Sequence, residues 1–289
     1  MNGMQLNNWS IGKKIGEGAC GSVYEVESTI PLEHKYDRTK QFVMKVTLMP
    51  AKPKGKPSKR YQDAKRHADT LYSEYLIYQK LYGIDGIPYV PLRAYGETQG
   101  YRYLVIERLD ANLEDVLRSQ GSITNKAASQ YGLQIIKILK ALHDKNVLYV
   151  DMKPENLMIK ESKVYCIDFG ISSPYISSRG AHIAQSQTPC IIGTPHFVSV
   201  NCHHGIVNSR RDDIESMLYV LIYLMKGSLP WDQAKTDIEA KTIKKNIEIR
   251  VLCDSLSTEW GDMIRTIRNH AFEKCPDYEY FENQFIAMM

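Results

Sequence analysis

Along the first third of the chain, apolar and polar residues alternate, with glycines interrupting the pattern. Ser22-Val23-Tyr24-Glu25-Val26 and Gln41-Phe42-Val43-Met44-Lys45-Val46 read this way, and so does Tyr101 to Arg108. Period-two alternation sends successive side chains to opposite faces of a sheet, so these segments, with Trp9 to Ile15, predict strands. Between them Leu71, Tyr75, Tyr78 and Leu81 recur at helical spacing and predict a helix over 69–82. After Asp110 the period lengthens. Helices are expected over 112–118, 126–143, 211–226, 237–245 and 256–271, with one short strand at Val164 to Ile167. A β-rich part followed by a mostly helical part predicts an α+β fold. No segment repeats.

Composition narrows the class. The chain has 289 residues, 43% apolar and 24% charged, with 18 Gly and 12 Pro. That suits one large domain or two small ones and excludes collagen, coiled coil and wholesale disorder. The longest apolar run, Met217 to Met225, has nine residues, under half of the ~20 that span a bilayer. Met1 to Ser10 has neither a basic region nor an apolar core, so no secretory signal is expected and no membrane partner. The expectation is a protein of the cytoplasm or nucleus. Six scattered cysteines without a C-x-x-C pair argue for reduced thiols rather than disulfides or zinc. Cys202-His203-His204 reads as a solvent-exposed loop rather than a metal site. The net charge of +4 is too mild to imply nucleic acid by itself. Lys52 to Arg66 is the one biased stretch, with seven basic residues around two prolines. It reads as a solvated loop, the functional alternative being a nuclear-localisation or nucleic-acid patch.

The chemistry starts at Ile15-Gly16-Glu17-Gly18-Ala19-Cys20-Gly21-Ser22-Val23-Tyr24. Gly16, Gly18 and Gly21 let a hairpin backbone approach phosphate oxygens and aim N–H groups at them. Alone the motif is weak, but here the glycines lie between two strands, whereas the dinucleotide-binding version runs from strand to helix. The next strand ends Val43-Met44-Lys45, and a helix presents Glu74 on a face with Tyr78 and Leu81. A lysine that holds phosphates while buried needs an acidic partner; otherwise Lys45 is an ordinary surface lysine. Downstream, Asp151, Lys153 and Asn156 stand within Tyr149 to Asn156, and Asp168-Phe169-Gly170 follows the next strand. One carboxylate can accept a hydroxyl proton. The other, with the Asn, can hold Mg²⁺ on triphosphate oxygens.

In this order the set resembles the protein kinases. The stretch Ile192-Gly193-Thr194-Pro195-His196-Phe197-Val198-Ser199-Val200-Asn201 lacks the usual A-P-E. With Ser209 to Ser216, Gly227-Ser228-Leu229-Pro230-Trp231 and Pro276 to Phe281, it is similar to the casein kinase 1 superfamily. The vaccinia-related kinases are also similar, but Lys153-Pro154-Glu155-Asn156 and Asp168-Phe169-Gly170 stand closer to casein kinase 1. The resemblance covers essentially the whole chain and leaves no regulatory tail.

It implies a single bilobal kinase domain over 1–289, with a sheet N-lobe over about 1–108 that also carries the helix of Glu74. A helical C-lobe over about 109–289 follows, with ATP in the cleft near Glu107. It implies an ATP/Mg²⁺-dependent protein serine/threonine kinase acting on protein substrates. By position, Asp151 is the base that orients the substrate hydroxyl, Lys153 neutralises the γ-phosphate, and Thr194 bonds both. Asn156 and Asp168 are the Mg²⁺ ligands, and Lys45 is the phosphate lysine paired with Glu74. Glu107 and Leu109 form the adenine hinge and Asp115 reaches the ribose. Ile15, Gly16, Glu17, Gly18, Gly21, Val23, Val43 and Met158 complete the nucleotide contacts.

Departures from the family matter too. Val150 replaces an arginine that binds a phosphorylated activation loop, so activity without loop phosphorylation is expected. Tyr149 replaces a histidine. His196 replaces an arginine of the substrate anion site, although Lys235 is retained, and imidazole is a poorer phosphate clamp than guanidinium. Cys20 and Cys166, near the nucleotide by resemblance, read as packing residues. Two other classes are weighed. A pseudokinase scaffold would be expected to lack Lys45, Asp151 or Asp168, and none is lost. A nucleic-acid-associated protein would use the 52–66 run.

Overall fold

In the computed structural model, which describes residues 1–18, 21–32 and 39–289, the alternating segments close into one antiparallel sheet. Cys20 lies outside the described residues. The strands are β1 (Gln5–Leu6), β2 (Trp9–Gly18), β3 (Gly21–Ser28), β4 (Phe42–Leu48), β5 (Tyr95–Thr98) and β6 (Tyr101–Glu107), in the order β1-β2-β3-β4-β6-β5. Strand β2 is longer than its alternation suggests. Register shifts between Ile11 and Lys14 and between Lys14 and Gly16 break the period, as bulges do. Helix α1 (Lys59–Lys80) packs on β4 and β6 through Ala68, Leu71, Glu74 and Tyr78.

Helix α1 begins at Lys59 rather than Asp69, so the basic run is loop only up to its N-cap. The Ser58 hydroxyl accepts the Tyr61 N–H and starts the helix. Its first two turns are polar and largely exposed, leaving no apolar stripe to read.

The remaining elements are β7 (Ala111–Asn112), α2 (Leu113–Gln120), α3 (Asn125–Asp144), β8 (Leu157–Lys160), β9 (Lys163–Cys166), α4 (Val200–His203), α5 (Arg210–Lys226), α6 (Asp237–Asn246), α7 (Ile249–Leu252), α8 (Thr258–Arg268) and α9 (Tyr278–Ala287). Helix α5 is buried almost throughout from Arg211 to Leu224, the signature of a helix in the middle of a core. Helices α3 and α8 pack on it, and α9 packs on α3. The short strands β7–β9 form a second sheet. Cys202 and His203 are buried on α4, so the exposed-loop reading of Cys202-His203-His204 is wrong there: the Ser199 hydroxyl caps a single helical turn.

Contacts divide the chain into two units, Met1–Gly83 with Ile87–Leu109, and Ile84–Gly86 with Asp110–Met289. The first carries the large antiparallel sheet and α1, the second most of the helices. An antiparallel sheet with one main helix and a mostly helical remainder meet the α+β expectation. Among the described residues no helix is long and apolar enough to cross a membrane.

Candidate active site

In the first unit, β2 and β3 form the glycine hairpin, closed by the pair Gly18 and Gly21. Gly21 has φ +139°, and a Cβ there would fall 2.1 Å from the Val46 carbonyl oxygen, so the fold itself demands glycine. Gly16 differs. Among the described residues a Cβ would meet only Val23, at 3.7 Å, an ordinary contact. The bare backbone at Gly16 is therefore room that protein packing does not use. Val23 stands opposite Lys45 in the ladder, and Val43 lies on the same face of β4. The Lys45 ammonium reaches the Glu74 carboxylate at 2.8 Å, with Glu74 buried on α1. The helix thus delivers the acid that a lysine on the sheet needs. Glu17 instead pairs with Lys14 at 2.9 Å and stays exposed, as does Ile15. At the end of β6 the Glu107 N–H donates to the Tyr89 carbonyl at 2.8 Å. The buried Glu107 carboxylate takes Lys40 at 2.6 Å, and Leu109 is buried two residues on.

The second unit assembles its groups around Asp151. The Thr194 hydroxyl donates to Asp151 Oδ1 at 2.6 Å, and Lys153 Nζ lies 2.9 Å from Oδ2. Asn156 Nδ2 donates both to the Asp151 carbonyl and to Oδ2, each at 3.0 Å. These two bonds use the amide nitrogen of Asn156, and its oxygen is an acceptor by nature. Burial pushes the Lys153 ammonium down, but the hydrogen bond and charge of Asp151, with the charges of Asp168 and Glu155, outweigh it and raise the pKa. Asp168 takes the left-handed conformation at φ +60°. Phe169 beside it is buried edge-on against Tyr149, with ring centroids 5.4 Å apart. The carboxylate of Asp168 and the amide oxygen of Asn156 are hard oxygen donors, the set that suits a small divalent cation. Met158 lies on β8 opposite Asn112. Asp115 is exposed and closes a capping box with Asn112 at the start of α2, so its carboxylate already serves that helix.

Sequence reasoning missed what holds Asp151 in place. Asp213 on α5 accepts the Tyr149 and Val150 N–H groups at 2.8 Å each, and His143 Nε2 at 2.9 Å. A carboxylate only accepts, so His143 carries its proton on Nε2. Val150 sits at φ +73°, with the Asp151 N–H bonded to the Tyr149 carbonyl at 3.0 Å, a γ-turn. The Tyr149 hydroxyl donates to the Ile167 carbonyl at 2.6 Å, tying the Asp151 loop to the strand end before Asp168. The Val150 side chain packs with Leu148, Tyr175 and Ile176 in a small apolar cluster. The signal that could have found Asp213 is the acidic pair Asp212-Asp213 just ahead of the longest apolar run of the chain, Met217 to Met225.

Farther along, His196 Nε2 lies 3.2 Å from Asp232 Oδ1. Burial lowers the imidazole pKa against the pull of Asp232. His196, Asp232, Lys235 and His203 line one cavity of about 340 Å³. Cys166 is buried and its thiol is pushed up by burial, as a packing residue would be.

Residues 9–277 match the family described as the protein kinase domain. The chain is 31% identical to the probable casein kinase I homologue of Encephalitozoon cuniculi, over 96% of this chain and 84% of that protein. It is 29% identical to casein kinase I homologue 3 of Schizosaccharomyces pombe, spanning 62% of it. It is 28% identical to casein kinase I homologue 1 of Saccharomyces cerevisiae, spanning 51% of it. Each of those two alignments takes in 98% of this chain. Protein kinases use ATP and a divalent metal on protein substrates. The chain belongs to the protein kinase family and, within it, to the casein kinase I serine/threonine kinases.

Proposed function

We propose that this chain transfers the γ-phosphoryl group of Mg²⁺-bound ATP to serine and threonine hydroxyls of proteins, and that it needs no phosphorylation of its own activation segment. The observation that carries the reading is the Asp151 carboxylate held by Thr194, Lys153 and Asn156. A carboxylate so oriented accepts the hydroxyl proton as the oxygen attacks, while Lys153 offsets the charge gathering on the transferred group. Asp168 and the Asn156 oxygen would hold Mg²⁺, which supplies charge neutralisation on the triphosphate. Lys45, oriented by Glu74, takes the phosphates under the Gly16–Gly21 hairpin. Adenine falls to the backbone of Glu107 and Leu109, and its apolar walls to Ile15, Val23, Val43 and Met158. Asp115 is assigned to the ribose although it also caps α2.

Independence from loop phosphorylation rests on Val150, an apolar side chain in an apolar cluster that offers a phosphate no partner. The test is transfer from labelled ATP to casein and to histone. Asp151→Asn should lose roughly 10²–10⁴-fold in kcat, the contribution of a positioned general base. Asp168→Ala should abolish transfer, and phosphatase treatment of the wild type should leave its rate unchanged. Full activity of Asp151→Asn would defeat the assignment.

A second activity, attachment to nucleic acid, is favoured by one observation. Lys52, Lys54, Lys56, Lys59 and Arg60 are exposed and make no ion pair among the described residues. Affinity for a DNA duplex that falls steeply with salt would support it, and no binding at low salt would remove it.

A further inference from the structure

Lys244 on α6 is fully buried. Its Nζ donates to the carbonyls of Pro195 and Val198 at 2.9 Å each and to that of His196 at 3.2 Å. The ammonium also lies over the Trp231 ring, 4.8 Å from its centroid, and the Tyr219 ring, at 5.4 Å. Those carbonyls belong to the segment that starts at Thr194, whose hydroxyl grips Asp151. The Thr194 carbonyl accepts the N–H groups of Phe197 at 2.9 Å and Val198 at 3.1 Å. One tight turn is thus fixed to Asp151 at its start and to Lys244 along its carbonyl side.

We propose that Lys244 is a positioning residue for phosphoryl transfer, its ammonium setting the turn from Thr194 to Val198 and through it the hydroxyl that orients Asp151. This rests on the kinase reading above. An ammonium has three N–H donors for three acceptors. The neutral amine has two donors and a lone pair, which would turn toward a carbonyl oxygen. Deprotonation therefore releases one carbonyl of the turn. Several groups face this nitrogen. Glu215 of α5 and Asp237 of α6 favour its charge, with the Cys202 thiol on the same side, while Arg268 of α8 opposes it; Tyr219, His203 and His196 lie in the same neighbourhood. Burial is the largest influence and brings the ammonium down to about 7. The turn is then held firmly on the acid side of neutrality and loosened on the alkaline side. Folding stability moves the other way. A lysine pKa lowered on folding means that the unfolded chain binds more protons above about 7, so stability rises with pH there.

The experiment compares wild type, Lys244→Met and Lys244→Arg from acid to alkaline pH. It reads kcat/KM for a protein substrate, KM for ATP, and protection of the Phe197 and Val198 amides against hydrogen exchange. For the wild type, kcat/KM and protection should each fall roughly tenfold above neutrality, the effect of one buried hydrogen bond, with KM for ATP steady. Lys244→Met should be low throughout without that limb. Lys244→Arg, which stays charged, should keep its protection at alkaline pH. A flat wild-type profile, the same limb in Lys244→Met, or loss of protection in Lys244→Arg at every pH overturns the proposal. If Lys244→Met does not fold, wild type and Lys244→Arg decide by protection. If the chain transfers no phosphate at all, the kinase reading fails, while exchange at Phe197 and Val198 still judges Lys244.

Discussion

Val150 carries a β-branched side chain at φ +73°, a conformation such residues avoid at a cost of about 1–3 kcal/mol. What pays for it is Asp213, whose carboxylate takes the N–H groups of Tyr149 and Val150 and the His143 ring. Asp213→Ala would leave three buried donors without an acceptor, at about 1–3 kcal/mol each. It should lower the melting temperature and cut kcat at least tenfold with little change in KM for ATP. Unchanged kcat in folded Asp213→Ala would show that Asp151 holds its geometry without this anchor. The acid at Asp151 was legible because motif spacing is local. Asp213 was not, because its role depends on a fold that brings residues from a distant helix to that loop. Its neighbour Asp212 is comparable: burial raises it to about 6 against the Ser199 hydroxyl that lowers it. That cost marks a structural cap rather than an exposed acid, and nothing in its sequence neighbours says so.

Elements are legible where apolar positions form a periodic stripe or an unbroken run. Helices α3, α5 and α6 start within a residue of where periodicity puts them. Helix α1 begins well before its apolar stripe, since its first turns have no buried face and its start depends on one hydroxyl, Ser58. Ser58→Ala should cost about 1 kcal/mol, seen as faster exchange over the first two turns. Glu74 lies far enough along α1 that its pairing with Lys45 should survive, so ATP affinity should not change. Glycine is informative in the same way inside α3. A Cβ on Gly132 would fall 2.4–2.8 Å from atoms of the Phe285 ring on α9. Gly132→Ala should therefore cost about 1–3 kcal/mol by overpacking, and adding Phe285→Leu should recover part of it. Additivity of the two changes in thermal unfolding would mean that α3 and α9 do not meet there. Nothing in the neighbouring sequence marks Gly132, since its reason is the ring of another element.

For the whole molecule the question is whether the assembled groups bind nucleotide and also act on it. Motif spacing orders the candidate groups along the chain, but only the fold shows Glu74 delivered to Lys45 and Thr194 delivered to Asp151. Binding and catalysis separate cleanly in stability. A ligand present at 100 times its Kd adds about 2.7 kcal/mol to the folded state. With an unfolding entropy of about 2.1 cal/mol/K per residue, spread over 289 residues, that corresponds to a rise of about 4 °C in melting temperature. Wild type should show this rise with Mg²⁺ and ATP. Lys45→Met should lose most of it, because Lys45 is the cation that the proposal gives to the phosphates. Asp151→Asn should keep it while phosphoryl transfer falls roughly 10²–10⁴-fold, because the proposal sets Asp151 on the hydroxyl rather than on the nucleotide. A rise without transfer in the wild type would point to a scaffold that binds nucleotide and does not use it. A rise kept in full by Lys45→Met, with transfer intact in the wild type, would place ATP on residues other than Lys45 and its neighbours.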